Sequence, residues 1–117
     1  MAPGVKRGDI WLVAGGPDYV GKPRPAIILQ DDAFSETASV TICPLTTHII
    51  EAPLIRLMIE ASDRNGLRVT SHVMIDKITT VSKKKLENRI GHLSNEEIVR
   101  VNRAVVVFLG LAGPAVK

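Results

Sequence analysis

Short runs of hydrophobic residues, separated by glycine, proline and polar residues, make up most of the chain from residue 8 to residue 81. Runs of this length, some of them alternating with polar residues, are typical of β-strands joined by turns. They predict strands at 9–13, 26–29, 39–43 and 54–59, and a further β-rich stretch at 69–81. Pro44 lies at the end of the third run, where a strand tolerates the missing N–H donor. Asn65 and Gly66 favour a turn.

The last quarter of the chain changes to a helical period. Ser94 and Glu97 have the spacing of a capping box, in which each side chain accepts a hydrogen bond from the backbone of the other residue. Apolar residues then recur three or four positions apart: Ile98, Val101, Val105, Phe108, Leu109 and Ala112. Gly113 and Pro114 are expected to end this helix. A shorter helix is expected over residues 83–89.

About five strands followed by a helix, within 117 residues, are the content of one domain, so we treat residues 1–117 as a single domain. Short sequential strands in so small a chain favour a strongly bent antiparallel sheet or a half-open barrel, with the helix covering one side. The predicted fold class is therefore mainly β with a C-terminal helix.

Composition narrows the range of partners. Hydrophobic residues make up 45% and charged residues 23% of the chain, which indicates a globular protein rather than a disordered one. A net charge of +3 permits a nucleic-acid partner without requiring one. Only four residues are aromatic, too few for a base-stacking platform, so RNA would be held by charge and polar groups. The basic run at 83–85, with Arg89, is either a solvated face or a phosphate-contacting patch.

The sequence contains no strong signal for a metal site, a nucleophilic side chain or a membrane segment. His72 and Asp76 could share a strand face, but no third ligand accompanies them, and zinc needs three or four. Cys43 is the single cysteine and lies among apolar strand residues, as a buried cysteine does. The apolar stretch at 104–112 is too short to span a membrane, and residues 1–9 have no signal core. We expect a cytoplasmic protein without metal or cofactor.

Two residues combine a suitable side chain with a restricted backbone. Arg24 lies between Pro23 and Pro25, where a glycine-bearing loop meets an apolar strand, and the two prolines limit the backbone beside it. A guanidinium held in this way is suited to binding a phosphate. Thr46 is one of two hydroxyl residues that follow Pro44, and its alternative role is a capping or turn hydrogen bond.

Six segments form a pattern that extends from about residue 6 to residue 111. They are KRGDIW at 6–11, RPAIIL at 24–29, CPLTT at 43–47, GL at 66–67 with SHVMIDKI at 71–78, IGHL at 90–93 and LGL at 109–111. No one segment is specific. Together and in this order, they resemble the MazF/PemK family of toxin–antitoxin ribonucleases.

The resemblance implies an SH3-like small barrel of the CcdB/PemK type with a C-terminal helix. It implies a homodimer that cleaves single-stranded RNA, including mRNA, at a short sequence. It also implies a cognate antitoxin that occupies the RNA groove, with operator DNA bound only through the antitoxin complex. In such metal-free cleavage the 2′-OH attacks the adjacent phosphate, so the protein needs no nucleophile of its own.

Carried onto this sequence, the resemblance makes Arg24 and Thr46 the catalytic residues. The loop at 15–23 corresponds to the segment that closes over RNA, and Ser71 to a serine that contacts RNA ahead of the fifth strand. The full set of expected RNA-binding residues is Lys22, Thr47, His48, Ser71, Asp76 and Lys77.

One branch of the family, the Kid/PemK type, departs from this pattern. It uses an Arg–Asp pair on the fifth strand and a histidine in the first loop. Here Asp76 matches the aspartate, but Met74 occupies the arginine position and the first loop has no histidine, so we expect the pair to be incomplete. The general base stays open. His48 is a candidate, because it is close to Thr46 in sequence and imidazole titrates near neutral pH.

Two other functions are alternatives on the sequence alone. The first is that of CcdB, a gyrase poison with the same barrel, which binds gyrase through an exposed Trp-Gly-Ile C-terminus. Residues 113–117 of this chain contain no tryptophan. The second alternative is a barrel that binds nucleic acid or protein without catalysis. Cleavage of single-stranded RNA in the presence of a chelator distinguishes the ribonuclease from both.

Overall fold

The computed structural model describes residues 4–15 and 22–113, which contain seven antiparallel strands and one α-helix. The strands are β1 (Asp9–Val13), β2 (Arg24–Ile28), β3 (Ser39–Thr46), β4 (Arg56–Ile59), β5 (Ser71–Met74), β6 (Thr79–Ser82) and β7 (Leu86–His92), and helix α1 covers Asn95–Phe108. Short 3₁₀ helices occur at Asp32–Phe34, Ile75–Lys77 and Lys83–Lys85. The strand order is β4-β5-β3-β2-β1-β7, and β6 also pairs with β3. The predicted class, mainly β with a C-terminal helix, is confirmed.

Strand β3 is the longest strand described and is shared between two parts of the sheet. One of its edges pairs with β2, while the other pairs with β6 in its first half and with β5 at Leu45 and Thr46. The 3₁₀ turn Ile75–Lys77 connects β5 to β6, so that one stretch of chain follows β3 along its whole length. A strand shared in this way is where a sheet bends.

Two apolar clusters lie on opposite faces of the bent sheet, because successive side chains of a strand alternate between faces. On β2, Ile27 belongs to the larger cluster, whereas Ala26 and Ile28 belong to the smaller one. Helix α1 packs on the larger cluster through residues that include Ile98 and Val101. We call this side the helix face and the other side the opposite face.

Helix α1 begins at the predicted capping box. The Ser94 hydroxyl accepts a hydrogen bond from the Glu97 backbone N–H at 3.2 Å, and the Glu97 carboxylate accepts one from the Ser94 N–H at 2.8 Å. The helix ends at Phe108, four residues before the predicted Ala112, because Gly110 adopts a left-handed φ of 74° that terminates it. None of the described helices is long and apolar enough to cross a membrane.

The short helix predicted over residues 83–89 is wrong. Lys83–Lys85 forms a single 3₁₀ turn, and Leu86–His92 is strand β7, which pairs with β1. The segment has no apolar stripe at helical spacing, and pairing with β1 satisfies its backbone instead. Across this pair the Arg89 guanidinium forms a salt bridge with Asp9 at 3.2 Å. Other boundaries change as well: β2 covers Arg24–Ile28, β3 continues through Pro44 to Thr46, and β4 starts at Arg56. The β-rich stretch predicted at 69–81 is divided into β5 and β6 by a 3₁₀ turn.

The predicted turn at Asn65 and Gly66 is confirmed, and it fastens the β4–β5 loop to β7. The fully buried Asn65 side chain accepts hydrogen bonds from the N–H groups of Ser62 and Leu67, both at 3.0 Å, and donates one to the Glu60 carbonyl at 2.8 Å. Gly66 has a φ of 71°. Gly91 of β7 lies so close to this turn that a Cβ atom there would overlap the backbone of Arg64 and Asn65.

Candidate functional site

A row of polar side chains crosses the opposite face where β2, β3 and β5 adjoin. Thr46 of β3 lies opposite His72 of β5 in the observed register. The last observed pair of the β2–β3 ladder is Ala26 with Pro44, and the same register extended by two residues places Arg24 opposite Thr46. Residues that lie opposite each other on antiparallel strands project to the same face, with Cβ atoms about 4.5–5.5 Å apart. We call Arg24, Thr46 and His72 the polar row.

Arg24 is the first residue of β2 and is exposed. Together with Lys85 it borders a depression of about 130 Å³ whose lining includes Ala26, Pro44 and Thr79. The basic run at 83–85 therefore brings a second cation close to the predicted catalytic arginine, which favours its interpretation as a phosphate-contacting patch at this one residue. Lys83 has a different role, since its ammonium donates a hydrogen bond to the Ser35 carbonyl at 2.5 Å.

Thr46 ends β3 and makes the turn hydrogen bond that was its alternative role. Its hydroxyl oxygen accepts a hydrogen bond from the His48 backbone N–H at 3.1 Å, which holds the chain as it leaves the strand. This bond uses a lone pair, so the hydroxyl hydrogen can still be donated to a ligand. The next residues, Thr47 and His48, are exposed beside it.

His72 is the member of the polar row that the sequence did not identify as functional, except as half of an incomplete metal site. Its Nδ1 atom is buried and has no hydrogen-bond partner. Leaving a buried polar atom unpaired costs about 1–3 kcal/mol. The Nε1 atom of Trp11 is the second such atom among the described residues, and Trp11 belongs to the apolar cluster of the same face. Unpaired buried polar atoms are thus concentrated on the opposite face.

Asp76 has an arginine partner that the sequence analysis did not identify, although Met74 does occupy the arginine position on the fifth strand. The guanidinium of Arg56 forms a salt bridge with the Asp76 carboxylate, and the two side chains are 9% and 27% exposed. Arg56 lies on β4, directly opposite Met74 in the register. The arginine therefore comes from the neighbouring strand and not from the position along the fifth strand where the resemblance placed it.

Cys43 behaves as the buried apolar residue that was predicted. Its thiol donates a hydrogen bond to the Met74 carbonyl at 3.2 Å. The pKa of this thiol is raised to about 12, chiefly by burial and secondarily by the nearby Asp76 carboxylate, while the Arg56 guanidinium opposes the shift. A thiol in this state is protonated at neutral pH and is a poor nucleophile.

The remaining predicted RNA-binding residues are dispersed. Ser71 is 3% exposed, lies on the helix face beside Val73, and donates a hydrogen bond to the Val69 carbonyl at 3.1 Å, so the structure does not bring it into the polar row. Lys22 and Lys77 are exposed, at the entrance to β2 and at the end of a 3₁₀ turn. The loop expected to close over RNA lies mostly in residues 16–21, outside the described residues.

Metal-ligating side chains do not converge in the described parts of the chain. In residues 4–15 and 22–113, no three His, Cys, Asp or Glu side chains come together in a way that could hold a metal ion. His72 and Asp76, which could have shared a face, instead belong to β5 and to the 3₁₀ turn that follows it.

Comparison with known proteins gives a consistent set of similarities. Residues 6–109 match the family described as PemK-like, MazF-like toxin of type II toxin-antitoxin system. The chain is 50% identical over 109 residues to a probable endoribonuclease MazF of Mycolicibacterium smegmatis, with 93% of this chain and 100% of the relative covered. It is 31% identical over 113 residues to the endoribonuclease EndoA of Bacillus subtilis, with 92% and 96% covered.

A solved structure has the same fold over nearly the whole chain. It is an endoribonuclease in complex with its cognate antitoxin from a mycobacterial species, and it superposes with a TM-score of 0.78 at 27% identity. The superposition covers 97% of this chain and 100% of that chain. The fold implied by the six sequence segments is thereby confirmed.

Proposed function

The chain belongs to the PemK-like, MazF-like family of type II toxin–antitoxin toxins, and from this premise we propose that it is an endoribonuclease that cleaves single-stranded RNA. Two relatives that it matches over more than nine-tenths of its length are named endoribonucleases. The observation that carries the proposal is the polar row, because the β2–β3 register, extended from the Ala26–Pro44 pair to the start of β2, brings the exposed Arg24 side chain beside the Thr46 hydroxyl. We propose that its substrate in the cell is mRNA and that cleavage of mRNA arrests growth.

The proposed reaction needs positioning and charge stabilisation from the protein. The substrate's 2′-OH attacks the adjacent phosphorus, and the products are a 2′,3′-cyclic phosphate and a free 5′-OH. Arg24 binds the phosphate oxygens as their negative charge develops, and Thr46 donates its hydroxyl hydrogen to the same group. Arginine side chains suit the first role better than that of a base, since removing a proton from a group with a pKa above about 12 costs roughly 7 kcal/mol at pH 7.

The RNA backbone is proposed to run along the polar row past a set of cations. Lys85 borders the same depression as Arg24, and Lys22 lies two residues before Arg24 at the entrance to β2. Thr47 and His48 are exposed at the end of β3, and Lys77 is exposed on the turn after β5. Charged and polar contacts replace aromatic stacking here, in keeping with the few aromatic residues.

Asp76 is proposed to support the site and not to take part in the chemistry. Its carboxylate is bound to the Arg56 guanidinium, which is almost fully buried. A carboxylate engaged in this pair links the 3₁₀ turn after β5 to strand β4, which is a structural role. Arg24 and Thr46 therefore stay the proposed catalytic residues.

A homodimer that binds a cognate antitoxin is the proposed assembly. Apolar side chains are exposed at the end of α1 and beyond it, among them Val107, Phe108, Leu109 and Leu111. Exposed apolar residues grouped in this way are typical of a surface that a partner covers. Each chain contributes one domain to the dimer. Operator DNA is proposed to be bound only through the complex with the antitoxin, and the proposed site of action is the cytoplasm. Light scattering should give the mass of two chains at micromolar concentration.

The decisive test uses a single-stranded RNA and a copy with one 2′-deoxy nucleotide on the 5′ side of the scissile phosphate. Cleavage of the RNA should continue in excess EDTA and should leave a cyclic phosphate, and the deoxy copy should resist cleavage because its nucleophile is missing. Cleavage of the deoxy copy would contradict the cyclic-phosphate mechanism. Intact RNA together with gyrase arrest would instead support the alternative of a gyrase poison.

A further inference from the structure

We propose that His72 is the general base of the reaction and removes the proton of the attacking 2′-OH. This proposal rests on the proposed ribonuclease function, and it concerns the one chemical role that Arg24 and Thr46 leave unfilled. The role requires a group that can accept a proton near neutral pH and that lies beside the phosphate-binding residues.

The position of His72 meets the second requirement. It is the direct cross-strand neighbour of Thr46, and both side chains project to the opposite face. Arg24 follows on the other side of Thr46 in the same row. A phosphate held by Arg24 and Thr46 would therefore have the imidazole beside it, within reach of the 2′-oxygen of the preceding nucleotide.

The surroundings of the ring leave its proton-accepting capacity unused. No hydrogen bond is made by either ring nitrogen to any described residue, and only Nδ1 is buried, so Nε2 is open to a ligand. His92 provides a contrast within the same chain, because its Nδ1 lies 3.0 Å from the Leu93 carbonyl oxygen and can donate to it. The His72 ring is thus held by no hydrogen bond of the fold, whereas the His92 ring is.

Nε2 of His72 takes the proton from the 2′-OH while the 2′-oxygen forms a bond to phosphorus. The bond between phosphorus and the 5′-oxygen then breaks, and the leaving 5′-oxygen takes a proton from water at this exposed site. His72 afterwards releases its proton to solvent, and the cyclic phosphate and the 5′-OH leave.

Several charged or titratable groups adjoin the imidazole from the neighbouring elements. Arg24 of β2 lies in the same row, and Arg56 of β4 and Asp76 after β5 form a salt bridge with each other nearby. From β3, Thr46 is uncharged and the exposed His48 follows it by two residues. His48 is the one other imidazole close to the row among the described residues, so a pH profile has to be assigned by substituting each histidine in turn.

The test compares His72→Gln with the matched control His92→Gln, in single-turnover cleavage across pH 5 to 9. In the wild type and in the control, we expect the rate to rise with pH on the acid side, as a base loses its proton, and then to level off. In His72→Gln the rate should fall by about 100–10,000-fold and the acid limb should disappear. Binding of the uncleavable 2′-deoxy oligonucleotide should be unchanged, which also shows that the variant is folded.

A second substrate distinguishes the role of general base from that of general acid for His72. With sulfur in place of the 5′-oxygen, the leaving group needs no proton, so a variant that lacks a general acid would regain its rate. His72→Gln should stay slow on this substrate. Three results would each overturn the proposal. They are full recovery of the His72→Gln rate on the thio substrate, wild-type activity of His72→Gln on RNA, and loss of the acid limb in His48→Gln alone. A wild type without an acid limb would overturn it even if His72→Gln did not fold, and a wild type that leaves all RNA intact would remove the ribonuclease function itself.

Discussion

The Asn65 turn and the polar row each contain a buried polar group, but the hydrogen bonding of these two groups is opposite. Asn65 is fully buried and uses both its amide oxygen and its amide nitrogen in hydrogen bonds to the surrounding loop. His72 has a buried nitrogen without any partner. Folded proteins pair nearly all buried polar atoms, so an unpaired one marks a place where another requirement prevails.

The two regions also differ in how their geometry is fixed. Around Asn65 the backbone approaches so closely that Gly66 and Gly91 have no room for a side chain. The polar row is built on side chains from separate strands, at the point where β3 leaves β2 and joins β5. The turn therefore stabilises the fold, whereas the row presents groups to a ligand. Substitutions in the two regions should separate stability from activity.

The largest effect is expected from Gly91→Ala. A Cβ atom at this position would overlap backbone atoms of Arg64 and Asn65, and backbone cannot move aside as the end of a flexible side chain can. We expect a loss of more than about 4 kcal/mol in the free energy of unfolding, enough to prevent folding of a marginally stable domain. Urea denaturation followed by circular dichroism measures it.

Gly4→Ala is the matched control for this prediction. Gly4 has open space around it, because the nearest heavy atom to an added methyl group would be the end of the Lys6 side chain, at 4.0 Å. Its substitution should leave the urea midpoint unchanged. A folded Gly91→Ala protein with the midpoint of the wild type would show that the turn does not hold β7, and the contrast between the two regions would fail.

The next effect is on activity alone. Arg24→Ala and Thr46→Val should each lower the cleavage rate by about 100–1000-fold, the usual result of removing one preorganised donor to a transition state. Arg24 is exposed, and valine keeps the shape of Thr46 while removing one hydrogen bond, that from the exposed His48 N–H, so the melting temperature should change little. The measurements are single-turnover cleavage and thermal unfolding of the same preparations.

Lys84→Ala serves as the control for loss of a positive charge. Lys84 is exposed in the basic run, and its backbone N–H, not its side chain, makes the hydrogen bond to Ser82. It should keep the wild-type rate. If Arg24→Ala and Thr46→Val lose stability in proportion to activity, the polar row is part of the structural framework and not a site.

Local patterns explain which parts of the site were predictable from the sequence. Arg24 stood out because prolines flank it, and Thr46 because it follows the proline of a strand end. Arg56 could not be identified in this way, since its pairing with Asp76 depends on the register between β4 and β5. His72 is a similar case, because its neighbour Thr46 is 26 residues away in sequence and adjoins it only through strand pairing.

The same distinction applies to the fold. The capping box at Ser94 and the Asn65 turn each depend on residues within a few positions of each other in sequence, and both were predicted correctly. The first half of strand β7 was mistaken for a helix because the three lysines that precede it and its own weak alternation give no local preference, and its identity depends on pairing with β1. Tertiary pairing overrides local propensity in such segments.

A smaller and mixed effect is expected from Asp76→Asn. The substitution removes a charge from the partner of the nearly buried Arg56 guanidinium, and we expect a loss of about 1–3 kcal/mol in stability. Cleavage should decrease far less than in Arg24→Ala. Arg56→Gln should reproduce the stability loss, since it breaks the same salt bridge from the other side. If Asp76→Asn instead matches Arg24→Ala in a well-folded protein, Asp76 takes part in the chemistry and the choice between the two family patterns is reversed.

The smallest effect is expected at Cys43, which tests whether a buried reactive group must be functional. Burial raises the pKa of its thiol to about 12, so the folded state keeps a proton that the unfolded chain releases near pH 9. The stabilisation that results is complete below pH 9 and is lost as the pH rises toward 12. Iodoacetamide at pH 8.5 should therefore leave native Cys43 unmodified and label it rapidly in urea. Rapid labelling of the native protein would mean that the thiol is accessible and ionised. The hydrogen bond to Met74 would then not be formed, and Cys43 would resemble the unsatisfied His72 more than the satisfied Asn65.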